Sequence, residues 1–91
     1  MATTGVFLNV DETRVGLSLH EVGEKLDGTE GEIVLDFTSV RRMDSSALRA
    51  IDDLSRQADK KRVKVTLRGV NIGVYKVLKL MKLTQQFSFV E

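Results

Sequence analysis

The strongest structural signal in this sequence lies in residues 33–54, IVLDFTSVRRMDSSALRAIDDL. Its first five residues, Ile33 to Phe37, form a nearly continuous apolar run, which is typical of a central strand covered on both faces. A short loop follows, and Asp44 and Ser45 are both suitable N-cap residues for a helix. Beyond them, apolar residues recur at helical spacing on one face, at Ala47, Leu48, Ile51, Leu54 and Ala58. The stretch therefore predicts a buried strand, a loop and an amphipathic helix.

The segment before this stretch predicts another strand and another helix. The strand is expected over Val6–Val10. Ser18 and Glu21 have the S-x-x-E spacing of a capping box, and Leu17 and Val22 have the spacing of a hydrophobic staple. These two signals predict a helix from about residue 19 to about residue 27.

The segment after the stretch continues the same alternation. We expect a strand over Val63–Arg68, a helix over about 72–82 and a short strand over Phe87–Val90. The order β-α-β-α-β-α-β implies right-handed crossovers. The predicted fold class is therefore α/β: a mixed, mostly parallel four-stranded sheet with about three helices packed mainly on one face.

The composition is that of one small globular domain spanning residues 1–91. Fourteen Lys and Arg balance thirteen Asp and Glu, and this net charge of +1 argues against a dedicated nucleic-acid-binding protein. The chain has no cysteine, which excludes disulfides, thiolate metal ligands and a cysteine nucleophile. No apolar run is long enough to span a bilayer and no signal peptide opens the chain, so we expect no membrane insertion and a cytoplasmic location.

Few residues in this chain suit catalysis. His20 is the single histidine, and the nearest acid, Glu21, is adjacent to it and not one helical turn away. We therefore expect His20 to be a solvent-exposed side chain. Gly69 and Gly73 lack the remaining residues of a P-loop or a dinucleotide-binding motif. The sequence predicts an interaction domain with no cofactor and no metal; an enzyme acting on nucleotides or phosphate is the alternative from a different class.

The segment from Asp36 to Leu48, DFTSVRRMDSSAL, resembles the STAS domain, which bacterial anti-sigma factor antagonists share with the cytoplasmic ends of sulfate transporters. In that family the strand, loop and helix follow the pattern D-[LF]-x-x-V-x-x-[MIV]-D-S-[ST]-[GA]-L. The matching positions are Asp36, Val40, Met43, Asp44, Ser45, Ser46 and Leu48. The resemblance continues through the turn Gly69-Val70-Asn71 and the helix after it. It covers residues 31–91 well and the residues before them loosely.

Ser45 stands near the start of the predicted helix, where unpaired backbone N–H groups and the positive end of the helix dipole favour an anion. A phosphate on Ser45, with about −1.5 to −2 charges, would suit that environment, and Arg41 and Arg42 would stabilise it. The resemblance implies the same role, because Ser45 matches the serine that an anti-sigma kinase phosphorylates. The alternative is that Asp44-Ser45-Ser46 is a helix cap and nothing more.

The predicted partner-binding surface surrounds Ser45 and consists of Arg41, Arg42, Asp44, Ser45, Ser46, Ala47 and Arg49. By the resemblance, an anti-sigma factor antagonist would bind a kinase-like anti-sigma factor while Ser45 is free and release it after phosphorylation. The second hypothesis is an adaptor subunit that binds the ATPase of a phospholipid-transport ABC system. Two departures from the family pattern favour it: Ala47 replaces the glycine usual after the serine pair, and the N-terminus is short.

The short N-terminus also affects assembly. The family commonly begins with the two strands of a hairpin, whereas only Phe7 to Val10 is available here, which leaves a sheet edge able to pair with a second copy as a homodimer. On the last helix we expect Lys76, Lys79 and Lys82 to form a solvated flank, with an acidic partner or lipid headgroups as alternatives. The aromatic residues all fall within apolar patterns and are expected in the core: Phe7, Phe37, Tyr75, Phe87 and Phe89.

Overall fold

The computed structural model describes residues 5–26 and 31–90. In these ranges four strands alternate with three helices, which confirms the predicted α/β order. The elements are β1 (Gly5–Asn9), α1 (Val15–Lys25), β2 (Glu32–Asp36), α2 (Ser45–Lys61), β3 (Lys64–Arg68), α3 (Ile72–Leu80) and β4 (Ser88–Val90).

The four strands form one sheet in the order β1-β2-β3-β4, and all three described pairings are parallel. Each crossover therefore moves one strand further in the same direction, and right-handed crossovers of this kind place the helices on one face. The burial of β2 agrees: Ile33 and Leu35 point into the core, whereas Val34 on the reverse face is half-buried. The prediction of a central strand is confirmed, but its complete coverage on both faces is wrong.

The core lies between the sheet and the helices and includes Leu19, Phe37, Ile51, Leu67 and Leu78, all fully buried. Burying side chains of this size contributes about 1.5–3 kcal/mol each.

Two aromatic residues that were expected in the core lie at the surface. Phe7 is 52% exposed on β1, within 5.9 Å of the Arg68 guanidinium, and Tyr75 is 40% exposed. The Tyr75 ring packs edge-on against Phe89 at 5.1 Å. Phe7 was misplaced because alternation along a strand predicts two faces without showing which of them the helices cover.

The start of α1 differs from the prediction. The helix begins at Val15, four residues before the expected start, and Ser18 is inside it. The Ser18 hydroxyl accepts a hydrogen bond from the backbone N–H of Asp11 at 3.3 Å, so the predicted capping box is not formed. Leu17 is 50% exposed and therefore forms no hydrophobic staple.

The earlier start has a physical cause. An Asp11 carboxylate oxygen accepts hydrogen bonds from the backbone N–H and the hydroxyl of Thr13, both at 2.8 Å, and this turn leads the chain directly into the helix. Starting at Val15 buries one more apolar side chain, in line with Leu19 and Val22. The predicted end of this helix, at about residue 27, lies outside the described residues.

The other two helices follow their predictions more closely. Asp44 is the N-cap of α2, which resolves the choice between Asp44 and Ser45. The helix ends at Arg62 in the left-handed conformation. Helix α3 ends at Leu80, slightly earlier than expected, because Lys82 adopts a positive φ of 62° that stops the helix.

Candidate functional site

The N-terminus of α2 is organised by Asp44. This residue has an extended backbone, and its carboxylate accepts a hydrogen bond from the backbone N–H of Ala47 at 2.8 Å. The Asp44 carbonyl oxygen accepts the N–H of Leu48 at 2.9 Å. The cap therefore satisfies the third N–H of the helix, and the N–H groups of Ser45 and Ser46 have no carbonyl partner within the helix.

The two serines face different surroundings. Both are exposed at the first two positions of α2. The Ser46 hydroxyl lies against Gly16 of α1, so closely that a Cβ atom at Gly16 would be 2.7 Å from it. Ser46 is thus part of the contact between α1 and α2, and Ser45 is the serine with the more accessible hydroxyl.

The loop before α2 is fixed by Asn71, the N-cap of α3. Its side-chain Nδ2 donates hydrogen bonds to the carbonyl oxygens of Val40 at 3.1 Å and Arg41 at 3.0 Å. Its Oδ1 accepts the N–H of Val74 at 2.8 Å. One side chain therefore caps α3 and holds the loop that carries Arg41 and Arg42, whose side chains are both exposed.

Residues at the carboxyl ends of β2 and β3 also hold this loop in place. The backbone N–H of Thr38 donates to an Asp36 carboxylate oxygen at 2.9 Å, and its hydroxyl donates to the same oxygen. These hydrogen bonds, the hydroxyl first, lower the pKa of Asp36 below its usual value, and nearby Arg68 acts in the same direction. Gly69 has a positive φ of 72°, and a Cβ atom there would lie 2.5 Å from the Thr38 hydroxyl.

Two depressions flank the site. A groove of about 600 Å³ runs between α1 and α2 and is lined in part by Ser46, Arg49 and His20. A smaller one, of about 410 Å³, lies between the loop after β1 and the loop after β2, beside Arg42 and Asp44. Ser46 lines the larger depression and Asp44 lines the smaller one, so both lie beside the start of α2.

Ala47 is the one predicted partner-binding residue that the structure removes from the surface. Its side chain is 1% exposed and belongs to the hydrophobic core, at the floor of the smaller depression. The prediction that Ala47 is part of the partner-binding surface is therefore wrong for its side chain. Ala47 belongs to the helix face that packs on the sheet, and its contribution to the site is the backbone N–H that Asp44 accepts.

The remaining sequence expectations concern metal, catalysis and membranes. His20 is exposed, as expected, with its Nε2 3.8 Å from a carboxylate oxygen of Glu24. Across residues 5–26 and 31–90 there is no cluster of three acids or histidines able to hold a metal ion. Within the same ranges no helix has the length and apolarity needed to cross a membrane.

A comparison with protein-family models matches residues 8–91 to the STAS domain. The chain belongs to the STAS family. This confirms the resemblance drawn from residues 36–48, and it extends the resemblance over α1 and the last two residues of β1, where the sequence pattern was weak. A STAS domain is a regulatory and interaction fold. No match was found among curated proteins.

Solved structures share this STAS fold. A sulfate transporter family protein from Wolinella succinogenes has a TM-score of 0.78 at 17% identity, covering 97% of this chain and 78% of the other. A candidate anti-sigma factor antagonist from Thermotoga maritima has a TM-score of 0.66 at 19% identity, and the match covers 100% of this chain and 76% of the other. The unphosphorylated form of the anti-sigma factor antagonist SpoIIAA has a TM-score of 0.58 at 15% identity, and the match covers 100% of this chain and 83% of the other.

Two residues of this STAS site were not among the predicted site residues. Asn71 was noticed only as part of a turn, although an Asn directly before a helix is a strong N-cap signal. Gly16 has a weaker signal: it lies seven residues before Gly23, and both face α2, where a Cβ atom at Gly23 would be 2.9 Å from the Gln57 side chain. Sequence spacing alone does not say which helix such glycines meet.

Proposed function

We propose that this STAS domain is a regulatory protein-interaction module of the anti-sigma factor antagonist type, controlled by phosphorylation of Ser45. The observation that carries the proposal is the exposed Ser45 at the first position of α2, directly after the Asp44 cap. A kinase needs an accessible hydroxyl, and a partner that packs on Ser45 senses any group attached to it.

A phosphate on Ser45 suits the local electrostatics. The Asp44 carboxylate occupies the N–H of Ala47, which leaves the N–H groups of the first two helical residues to bind phosphate oxygens. The exposed cations Arg41 and Arg42 precede the cap, and the helix dipole adds a favourable field. The modification thus replaces a small neutral group by a bulky one carrying about −1.5 to −2 charges without disturbing the fold.

The partner surface in this proposal comprises the exposed residues around Ser45. Arg41, Arg42 and Arg49 supply positive charge, and Ser46 lies at the mouth of the groove between α1 and α2. The partner is an anti-sigma factor with serine kinase activity, which binds while Ser45 is unmodified. Phosphorylation expels it by charge and by volume.

A second candidate function is an adaptor that binds the ATPase of a phospholipid-transport ABC system through the same surface. Ala47 favours it, because this residue replaces the glycine that is usual after the serine pair in the phosphorylated antagonists. In this case the Asp44-Ser45-Ser46 cap is a constitutive docking element.

The experiment is intact-mass measurement and phosphosite mapping of the full chain isolated from its native host, beside the variants Ser45→Ala and Ser46→Ala. We expect one added phosphate in the wild-type protein and in Ser46→Ala, and none in Ser45→Ala. A phosphate mapped to Ser46, or an unmodified Ser45 under all growth conditions together with a co-purified transporter ATPase, contradicts the proposal. The second outcome selects the adaptor.

A further inference from the structure

The charged residues are distributed unevenly along this nearly neutral chain. Residues 60–90 contain eight Lys and Arg and no Asp or Glu, whereas residues 1–59 contain six Lys and Arg and twelve Asp and Glu. The chain is therefore acidic in its first two thirds and strongly basic in its last third. Asymmetry of this kind points to an anionic partner for the basic part.

The fold brings part of this positive charge to one end of the molecule. All four strands are parallel and each helix runs back along the sheet, so α2 and α3 end at the same side, opposite to Ser45. Exposed cations stand where these two helices end. We call this end of the molecule, with Lys60 and Arg62 at the end of α2 and Lys79, Leu80 and Lys82 at the end of α3, the basic end. Asp59 lies in the last turn of α2, and the same topology brings Glu24, in the last turn of α1, and Glu32, the first residue of β2, to this end of the sheet.

A solvent-exposed apolar side chain, that of Leu80, lies beside these cations. Leu80 is 83% exposed, and Met81 beside it is 37% exposed. The positive φ of Lys82 ends α3 at this point, so Leu80 is the last residue of the helix. An exposed apolar side chain flanked by cations combines the two features with which a protein surface binds the interface of an anionic bilayer.

We propose that the basic end docks the domain on an anionic lipid bilayer, with Leu80 entering the headgroup region and the lysines binding lipid phosphates. Three of the four cations are lysine, which is depleted in protein–protein interfaces, whereas long lysine side chains readily reach phosphates around an inserted apolar residue. Anionic bilayers therefore fit this surface better than an acidic protein.

Docking at this end is independent of the proposed function at Ser45. Helix α2 has 17 residues and is therefore about 25 Å long, which places Ser45 on the side facing away from the bilayer. A partner is thus able to bind at Ser45 while the domain is on the membrane. Failure of either proposal leaves the other standing.

The test is sedimentation of the full chain with vesicles of mixed phosphatidylglycerol and phosphatidylcholine, against vesicles of phosphatidylcholine alone. We expect binding to the anionic vesicles only, weakening as salt is raised. Each basic residue near an anionic surface contributes a factor of about five, so Lys79→Glu with Lys82→Glu lowers the partition coefficient at least about 25-fold. Leu80→Ser lowers it severalfold.

The matched control is Arg14→Glu with Arg42→Glu, which makes the same change of net charge at the opposite end of the domain. It is expected to change the partition coefficient less than about threefold. A second measurement uses Leu80→Trp, a substitution at a site exposed enough to accept it, whose fluorescence shifts to the blue on anionic vesicles alone. Equal binding to neutral vesicles, equal loss in the control, an unshifted tryptophan, or binding to an acidic polypeptide and not to vesicles overturns the proposal.

Discussion

The side-chain amide of Asn71 donates a hydrogen bond to the carbonyl oxygen of Arg41 at 3.0 Å, across 30 residues of sequence. The same side chain caps α3 through Val74. The two helix N-termini at the carboxyl ends of β2 and β3 are therefore coupled by one residue. The position of the loop before Ser45 depends on a side chain that follows a different strand.

Replacement of Asn71 separates its two roles. Asn71→Asp keeps an oxygen that caps α3 and removes the Nδ2 donor, so we expect a loss of about 1 kcal/mol in the free energy of unfolding. Asn71→Ala removes the cap as well, and we expect the free energy of unfolding to fall by about 2 kcal/mol. Urea denaturation measures both, with Asn9→Ala, an exposed asparagine on β1, as the control that changes little. Equal losses in the two Asn71 variants would show that the cap on α3 contributes nothing, and an Asn71→Asp variant as stable as the wild-type protein would show that the hydrogen bonds to Val40 and Arg41 contribute nothing.

Gly69 and Gly73 make a matched pair of glycines close together in sequence. Gly69→Ala places a Cβ atom 2.5 Å from the Thr38 hydroxyl at a positive φ, and we expect at least about 2 kcal/mol of destabilisation. Gly73→Ala lies in the first turn of α3, where its Cβ atom meets only the Asn71 Oδ1 at 3.4 Å, so a gain of up to about 1 kcal/mol is expected. Thermal and urea unfolding of the two variants should shift in opposite directions. Similar shifts would contradict the role assigned to Gly69.

The fold was predictable from this sequence mainly where local and long-range signals agree. In α2 the Asp44 cap, the apolar stripe through Ile51 and Leu54, and the cations at the C-terminus all indicate the same helix, and the structure has it within a residue. In α1 the local and the long-range signals conflict. Ser18 and Glu21 favour a later start, but burial of Val15 and the turn at Asp11 favour an earlier one, and tertiary burial prevails.

The site was predictable in its residues but not in its surroundings. Asp44, Ser45 and the two arginines are adjacent in sequence, so a short motif identifies them. Asn71 and Gly16 reach the same site from other elements, and a sequence pattern carries no information on which loops meet. The exposure of Phe7 was missed for a related reason, because periodicity along β1 does not reveal which sheet face the described helices cover.

The charge preference of the α2 N-terminus is testable without a partner. Ser45→Asp introduces a negative charge at the first helical position, and Ser45→Asn is its neutral counterpart of similar size. We expect the Asp variant to be more stable than the Asn variant by about 0.3–1 kcal/mol at low ionic strength, with the difference shrinking in high salt. Urea denaturation at two salt concentrations measures this. A less stable Asp variant would mean that repulsion from Asp44 outweighs the helix dipole and the arginines, and a phosphate there would be disfavoured.

Acid sensitivity is expected from two aspartates whose pKa values lie below the ordinary 3.8. Hydrogen bonds from Thr38, its hydroxyl before its backbone N–H, lower the pKa of Asp36, and those from Thr13, its backbone N–H before its hydroxyl, lower the pKa of Asp11. A folded state with lowered pKa values binds fewer protons than the unfolded chain. These groups therefore stabilise the fold above about pH 4, and the contribution is lost as the pH falls through the lowered values.

The variant Asp36→Asn tests this linkage, because it cannot ionise at that position. Between about pH 5 and about pH 2.5 the free energy of unfolding of the wild-type protein should fall more steeply than that of Asp36→Asn, and the two curves should be parallel between about pH 6 and about pH 8. Thr38→Val, which removes the hydroxyl donor and keeps the backbone N–H, should have an intermediate slope. Urea denaturation at each pH gives the curves. Identical acid slopes for wild type and Asp36→Asn would show that the Thr38 hydrogen bonds do not favour the ionised carboxylate. The charge of Asp36 would then contribute nothing to the stability of the turn before Ser45.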